Sequence, residues 1–111
     1  MAVFGGTNPP VALNGATWVT LVAAPAAGKR REVLGVYVEN LDTVTHTFKL
    51  RKLISAVGYT TIPWADVLTL LLAQLLPAPI VLDETAALQI AIEGAHTTTA
   101  PIADAAFFEE P

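Results

Sequence analysis

The chain has 111 residues, of which 53% are hydrophobic and 14% are charged, and its formal net charge is -4. Soluble domains usually carry about 25% charged residues, so this chain is poor in charge, yet it is too hydrophobic for an intrinsically disordered protein. The acidic balance excludes a nucleic-acid binder of the basic-patch kind. The absence of cysteine excludes disulfides, thiol catalysis and thiolate zinc sites.

The length predicts a single domain, preceded by an extended segment. Residues 1–16 are rich in Gly, Pro and Asn and predict an extended N-terminal arm, and residues 17–111 predict one β domain. The first ten residues lack the pattern of a signal peptide. The longest apolar stretch, 67–82, is interrupted by Gln74 and two prolines and is shorter than the roughly 20 residues that span a bilayer. We therefore expect no membrane partner.

The first half of the domain is predicted to be β-structure. Residues 17–24 predict a strand, and residues 33–40 predict another, with Leu34, Val36 and Val38 on its inward face. A turn around Asn40 and Asp42 then leads to a strand at 43–53. We expect these last two strands to pair as an antiparallel hairpin with one buried and one solvated face.

The stretch 63–76 leaves two alternatives open. Its polar or small positions recur with the spacing of three and four that is typical of a helix, and Pro63 suits a first helical turn. The Leu-rich run is equally compatible with an extended strand or a loop. Further short strands are predicted at 79–82, 88–92 and 97–108. The predicted fold class is mainly β, an antiparallel β-sandwich, with or without one short helix around 63–76.

The charged residues are segregated along the chain. All six basic residues lie between Lys29 and Lys52, and the segment after Lys52 contains seven acidic residues. Two interpretations are open. The basic and acidic segments pair within one domain, or a basic loop of one copy meets an acidic tail of the next, since such complementarity sets register and partner choice.

The sequence contains few residues suited to catalysis or metal binding. Ser55 is the only serine and lacks the pattern of an activated nucleophile. His46 and His96 would need carboxylates such as Asp42 or Glu93 to form a metal site. We interpret His46 as a partly buried residue bonded to a neighbour, and His96 as a solvent-facing loop residue. We predict no catalytic, cofactor-binding or metal-binding residues, and no enzyme activity.

A succession of short segments resembles a known class of proteins. Residues 17–25 lead to the basic loop at 28–31, and then come 36–43, 45–47 and 80–85. Across about residues 15–108 this order resembles small virion structural proteins of tailed bacteriophages. It is similar in particular to capsid decoration (cement) proteins and related minor head or neck components. The Leu-rich stretch 67–76 departs from the plainer strand expected there.

The resemblance implies a non-enzymatic β-sandwich without cofactors, made in the host cytoplasm and located on the outer surface of the capsid of the virion. Its expected partners are the major capsid protein and sister copies in a homotrimer, with no nucleic acid. The alternatives are a neck, tail or baseplate subunit, or a host-attachment sandwich that binds glycans. The interface candidates are aromatic anchors and basic loop residues: Phe4, Trp18, Lys29, Arg30, Arg31, Trp64, Phe107 and Phe108.

Overall fold

The structure is a computed structural model that describes residues 4–7, 11–13, 17–54, 58–67, 72–74 and 80–110. Within these ranges the regular structure is entirely β-strand. In chain order the strands are β1 (Phe4–Thr7), β2 (Val11–Ala12), β3 (Val19–Val22), β4 (Arg30–Glu39), β5 (His46–Ile54), β6 (Gly58–Val67), β7 (Leu72–Gln74), β8 (Ile80–Leu82), β9 (Ala86–Ile92) and β10 (Ile102–Glu110).

The described strands form two antiparallel sheets, which confirms the predicted antiparallel β-sandwich. In the six-stranded sheet β4 and β10 pair at the centre. β7 and β8 lie along the other edge of β4, and β1 and β2 lie along the other edge of β10. The four-stranded sheet has the order β3-β9-β5-β6. The predicted N-terminal arm thus contributes two short strands to the larger sheet.

The two sheets enclose one hydrophobic core, because alternate residues of each strand point inward. The larger sheet contributes mainly small and branched side chains from β4, β8 and β10, and the smaller sheet contributes the largest one, Phe48. In β9 the inward residues are Leu88, Ile90 and Ile92, as their alternation predicts. The buried core residues are Leu13, Leu21, Val22, Val33, Val36, Val38, Phe48, Leu50, Leu82, Ala86, Leu88, Ile90, Ile92, Ala103 and Ala105.

The predicted hairpin between residues 33–40 and 43–53 is wrong. β4 pairs with β10, β7 and β8, whereas β5 pairs with β6 and β9 in the other sheet. The segment between them crosses from one sheet to the other. Both strands do have a buried and a solvated face, but their buried faces lie opposite each other across the core. Alternation is the same for a hairpin within one sheet and for strands in two facing sheets, so it could not distinguish them.

The helix predicted as one alternative for 63–76 is absent from the described part of that stretch. Residues 63–67 belong to β6 and residues 72–74 form β7, while 68–71 and 75–76 lie outside the described residues. Pro63 occupies an irregularity of register, where Ile62 and Ala65 pair with Leu50 and Phe48. β6 is an edge strand, and edges and bulges are the places where a sheet tolerates proline.

A β-bulge in β4 changes which residues face inward. Ala106 pairs with Gly35 and Phe107 pairs with Val33, so Leu34 is the extra residue. Val33, Val36 and Val38 are buried, whereas Leu34 is exposed. The predicted inward position of Leu34 is therefore wrong, since strict alternation across a bulge assigns the wrong face.

Candidate functional site

The crossing between β4 and β5 is held by buried polar side chains. Asp42 is fully buried, and its backbone N–H donates to Oδ1 of Asn40 at 3.0 Å. The Oδ1 of Asp42 accepts from the N–H groups of Thr43 and Thr98, each at 2.8 Å, and its Oδ2 accepts from the N–H of Thr97 at 2.7 Å. One carboxylate thereby joins the β4–β5 crossing to the segment between β9 and β10.

His46, the first residue of β5, bridges Asp42 and Glu93. Its Nε2 lies 2.6 Å from Oδ2 of Asp42, and its Nδ1 lies 2.9 Å from Oε1 of Glu93. The other oxygen of Glu93 accepts from the N–H of Thr47 at 2.8 Å. The His46 side chain is only 2% exposed, whereas that of Glu93 is 44% exposed. We call Asp42, His46 and Glu93 the carboxylate–histidine cluster.

Hydrogen bonds in this cluster outweigh burial in setting the charge states. Burial would lower the pKa of His46, but hydrogen bonds to Asp42 and Glu93, together with their negative charges, raise it above its usual value. Burial would raise the pKa of Asp42, but hydrogen bonds from His46, Thr97, Thr98 and Thr43 hold it far below its usual range. The raised pKa and the contacts of both ring nitrogens with carboxylate oxygens favour the protonated form of His46, in which both nitrogens donate.

The sequence interpretation of His46 as a partly buried residue bonded to a neighbour agrees with this geometry. Sequence reasoning also named the two carboxylates, Asp42 and Glu93, as candidate partners in a metal site. Both ring nitrogens of His46 are hydrogen-bonded to carboxylate oxygens, so in this geometry neither nitrogen is free to coordinate a metal ion. Among the described residues, no three His, Asp or Glu side chains are arranged to hold a metal ion. Ser55 lies outside the described residues.

His96 is only half-exposed, which differs from the solvent-facing position predicted for it. Its Nδ1 is buried and has no hydrogen-bond partner among the described residues. The neighbouring N–H of Thr97 donates to Asp42, which draws this segment inward. A Thr-rich segment after a glycine is typical of an exposed loop, and the sequence carries no signal of this long-range anchor.

The predicted basic loop residues have partners within the same chain. Arg30 pairs with Glu110 at 2.6 Å, and Arg31 pairs with Glu109 at 2.8 Å. Arg31 also donates to the carbonyl of Ala23 at 2.9 Å. For these two arginines the first of the two charge interpretations, pairing within one domain, is correct, because β4 and β10 are adjacent and antiparallel. Lys29 lies exposed in the preceding loop.

Three of the aromatic candidates lie in or next to the sheet edges. Trp18 precedes β3, half-buried, with the Arg51 guanidinium 4.3 Å and the Lys49 ammonium 5.7 Å from its ring centroid. These distances fit cation–π contacts on the outer face of the smaller sheet. Phe4 lies in β1 opposite Glu109, and Trp64 lies in β6. Both of these last two are described at the level of the backbone.

The adjacent candidates Phe107 and Phe108 point to opposite faces of β10. Phe107 packs against the core, with the Arg31 guanidinium 4.9 Å from its ring centroid. Phe108 is exposed on the outer face. Only Phe108 is therefore presented to a partner on that face, and Phe107 is a core residue.

Phe108 belongs to a larger exposed apolar surface, which we call the apolar strip. Its members are Leu34, Tyr37, Val81 and Phe108, each between 38% and 45% exposed on the outer face of the six-stranded sheet. Phe108 and Val81 flank the same β4 residue from β10 and β8. The Tyr37 ring lies over Gly35, because a Cβ there would come within 2.9 Å of it. Exposed apolar side chains grouped on one sheet face are candidates for a protein contact.

Sequence reasoning missed Leu34, Tyr37 and Val81 as surface candidates. Alternation along residues 33–40 does place Tyr37 on the face opposite Val36 and Val38, and an aromatic residue on that face is a signal of surface contact. Strict alternation places Leu34 on the same face as Val36 and Val38, but the bulge turns it to the outer face. Val81 joins the strip only because β8 pairs with β4, a non-local contact that no local pattern encodes.

Comparison with known proteins gives fold similarity alone. No protein-family model matches the chain, and no curated protein matches it. A chain from the structure titled "Bacillus endospore appendages form a novel family of disulfide-linked pili" superposes with a TM-score of 0.56 and 12% identity, over 96% of this chain and 86% of that one. The present chain contains no cysteine, which excludes disulfide linkage through it.

Two further solved structures share the fold to a similar or lesser degree. A chain of the infectious bursal disease virus Gx strain matches with a TM-score of 0.56 and 12% identity, over 98% of this chain but 33% of the viral one. This chain therefore spans about a third of that protein. The third structure is a Clostridium thermocellum xylanase with CBM22-1 and GH10 modules, complexed with xylohexaose. It matches with a TM-score of 0.48 and 17% identity, over 96% of this chain and 26% of that one.

The pilus and virus structures, each with a TM-score of 0.56, support the β-sandwich, and identities this low establish no more than the fold. In the described ranges no helix is long and apolar enough to cross a membrane. The site as a whole therefore consists of a largely buried polar cluster between two loops and an exposed apolar strip on one sheet.

Proposed function

We propose that this protein is a non-enzymatic structural subunit of a virion, of the capsid decoration type, which binds the assembled head and stabilises it. The apolar strip is the observation that carries the proposal. Four large apolar side chains on one sheet face are left uncovered by the chain itself, and surfaces of this kind usually mark protein interaction sites. A partner that binds only the assembled shell stabilises it by mass action.

Several features support this assignment over an enzyme. The hydrogen-bonding groups of the carboxylate–histidine cluster are engaged in joining two loops. One of the similar folds comes from a virus structure and another from a pilus structure. Together with the sequence resemblance, these favour an outer-surface location on the virion, with the major capsid protein and sister copies in a homotrimer as partners.

The decisive experiment compares particles with and without the protein. Particles that carry it are expected to retain their genome to a higher temperature and through a harsher osmotic shock. The protein with Val81→Thr and Phe108→Ser should fold but fail to bind and protect. Val44→Thr is the matched control, because Val44 is also exposed but lies in the β4–β5 crossing, away from the strip. Equal robustness of particles with and without the wild-type protein would overturn the proposal.

The alternative of a neck, tail or baseplate subunit makes a different prediction. A decoration protein covers the whole shell and should be present in hundreds of copies, whereas a neck or baseplate subunit should number tens or fewer. Quantitative mass spectrometry of purified particles measures this directly. A low copy number at one vertex would reassign the protein to the neck or tail.

A further inference from the structure

Three acidic side chains border the apolar strip. Glu32 lies between Phe108 of β10 and Val81 of β8 in the paired register. Asp104 pairs with Tyr37 across β4 and β10, and Glu39 lies two residues beyond Tyr37 on the same face of β4. All three are half-buried. We call Glu32, Glu39 and Asp104 the acidic border.

The acidic border has no cationic partner within the described chain. No ion pair joins any of the three carboxylates to a described residue. All six Lys and Arg residues lie between Lys29 and Lys52 and are therefore described. Arg30 and Arg31 pair with Glu110 and Glu109. Lys52 donates to the carbonyl of Val81 at 2.9 Å, and Lys49 and Arg51 lie over Trp18 in the other sheet.

The charge of the border restricts what can cover the strip. Two copies joined strip to strip would place three carboxylates of one copy against three of the other, and such like-charge contacts are costly. The cationic surface around Trp18 lies on the opposite side of the sandwich. If the strip of one copy bound the Trp18 face of the next, the two contact surfaces of each copy would lie on opposite sides. The copies would then form an open row and not a small closed ring.

We infer that the apolar strip and its acidic border dock a different protein, whose contact surface presents Lys or Arg side chains around an apolar patch. This inference rests on the proposed function in identifying that protein as the shell subunit. The apolar side chains then provide the buried centre of the interface. The three carboxylates, with Glu32 between Phe108 and Val81 and the other two near Tyr37, provide register and electrostatic attraction within the interface.

The charge preference is testable on the isolated protein with two synthetic peptides, one of alternating Leu and Lys and one of alternating Leu and Glu. The Leu-Lys peptide should bind, and amide chemical shifts should change along β4, β8 and β10 but not around Trp18. Glu32→Gln with Asp104→Asn should weaken binding about tenfold, since each removes one attractive charge. Glu84→Gln is the control, because it removes an exposed charge in the β8–β9 turn.

Three results with the isolated protein would overturn the inference. They are failure of the Leu-Lys peptide to bind, equal binding of the Leu-Glu peptide, and self-association of the protein that requires Lys49 and Arg51. The last would make a sister copy the occupant. Protection of particles by the Glu32→Gln, Asp104→Asn protein at wild-type level, with no salt dependence, would overturn the inference and leave the proposed function intact. Peptide binding at the strip without any protection of particles would overturn the proposed function and leave the inference about the charge of the partner intact.

Discussion

His46 connects three parts of the chain through one ring. It begins β5, binds Asp42 in the crossing from the larger sheet, and binds Glu93 at the end of β9. A neutral imidazole would direct a lone pair at one of the two carboxylates, so the contacts are favourable only while the ring is protonated. The connection between the two loops is therefore sensitive to pH.

The first prediction concerns the pH dependence of stability. The pKa of His46 is raised from its ordinary 6.5, so its contribution is complete below that pH and is lost as pH rises through the raised pKa. The pKa of Asp42 is lowered from its ordinary 3.8, so its contribution is present above that pH and is lost as pH falls. The cluster should stabilise the fold most between these two ordinary values.

Urea unfolding midpoints measured from about pH 4 to pH 10 test this prediction. The wild-type midpoint should fall on the alkaline side, and His46→Gln should remove that fall while lowering the midpoint near pH 6. His96→Gln should keep the wild-type profile. An alkaline fall of the same size in His46→Gln would show that another group is responsible.

Strand β10 shows how a single element serves both the core and the surface. Ala103, Ala105 and Phe107 point inward, and Asp104 and Phe108 point outward. The same strand pairs with β4 on one edge and with β1 and β2 on the other. Neighbouring residues of identical type therefore have different roles, and this provides a matched pair for mutation.

The second prediction compares Phe107→Ala with Phe108→Ala. Phe107→Ala should lower the free energy of unfolding by about 2 to 3 kcal/mol, because it removes core packing and the contact with Arg31. Phe108→Ala should cost less, about 1 kcal/mol, because the ring is already 38% exposed, and it should impair partner binding. Chemical denaturation of both variants gives the two values. A larger stability loss in Phe108→Ala would contradict the assignment of faces.

At the scale of the whole molecule, the two sheets share one core. Residues of β4, β8 and β10 pack against residues of β3, β5 and β9 without a division between them. The polar cluster adds a second connection at one end of the sandwich, where the crossing from β4 to β5 meets the segment that leads from β9 to β10. Neither sheet can bury its apolar face without the other.

The third prediction is that the sandwich unfolds in one cooperative transition. Tryptophan fluorescence reports on the smaller sheet, where Trp18 and Trp64 lie, and far-ultraviolet circular dichroism reports on both sheets. The two urea transitions should coincide, with a slope of about 1 kcal/mol per molar. Amide exchange of β4 and β10 should follow the same free energy. Separate midpoints would show that the sheets unfold independently.

The local pattern of the sequence determined the β class, the inward residues of β9 and the position of His46 as a buried residue bonded to a neighbour. It also determined that six basic residues precede an acidic half, because composition is independent of folding. Alternation has a period of two in any sheet, so it specified faces but not partners. For that reason β4 and β5 were expected to pair, and the bulge at Leu34 passed unrecognised.

Only the tertiary structure decided which strands are neighbours, and with that the candidate site. Antiparallel pairing of β4 with β10 brings Arg30 next to Glu110 and Arg31 next to Glu109, although the partners are about eighty positions apart in the sequence. Pairing of β8 with β4 completes the apolar strip by adding Val81. The crossing at Asp42 meets N–H groups more than fifty residues away. These contacts depend on how two sheets close around a shared core, which is a property of the whole chain.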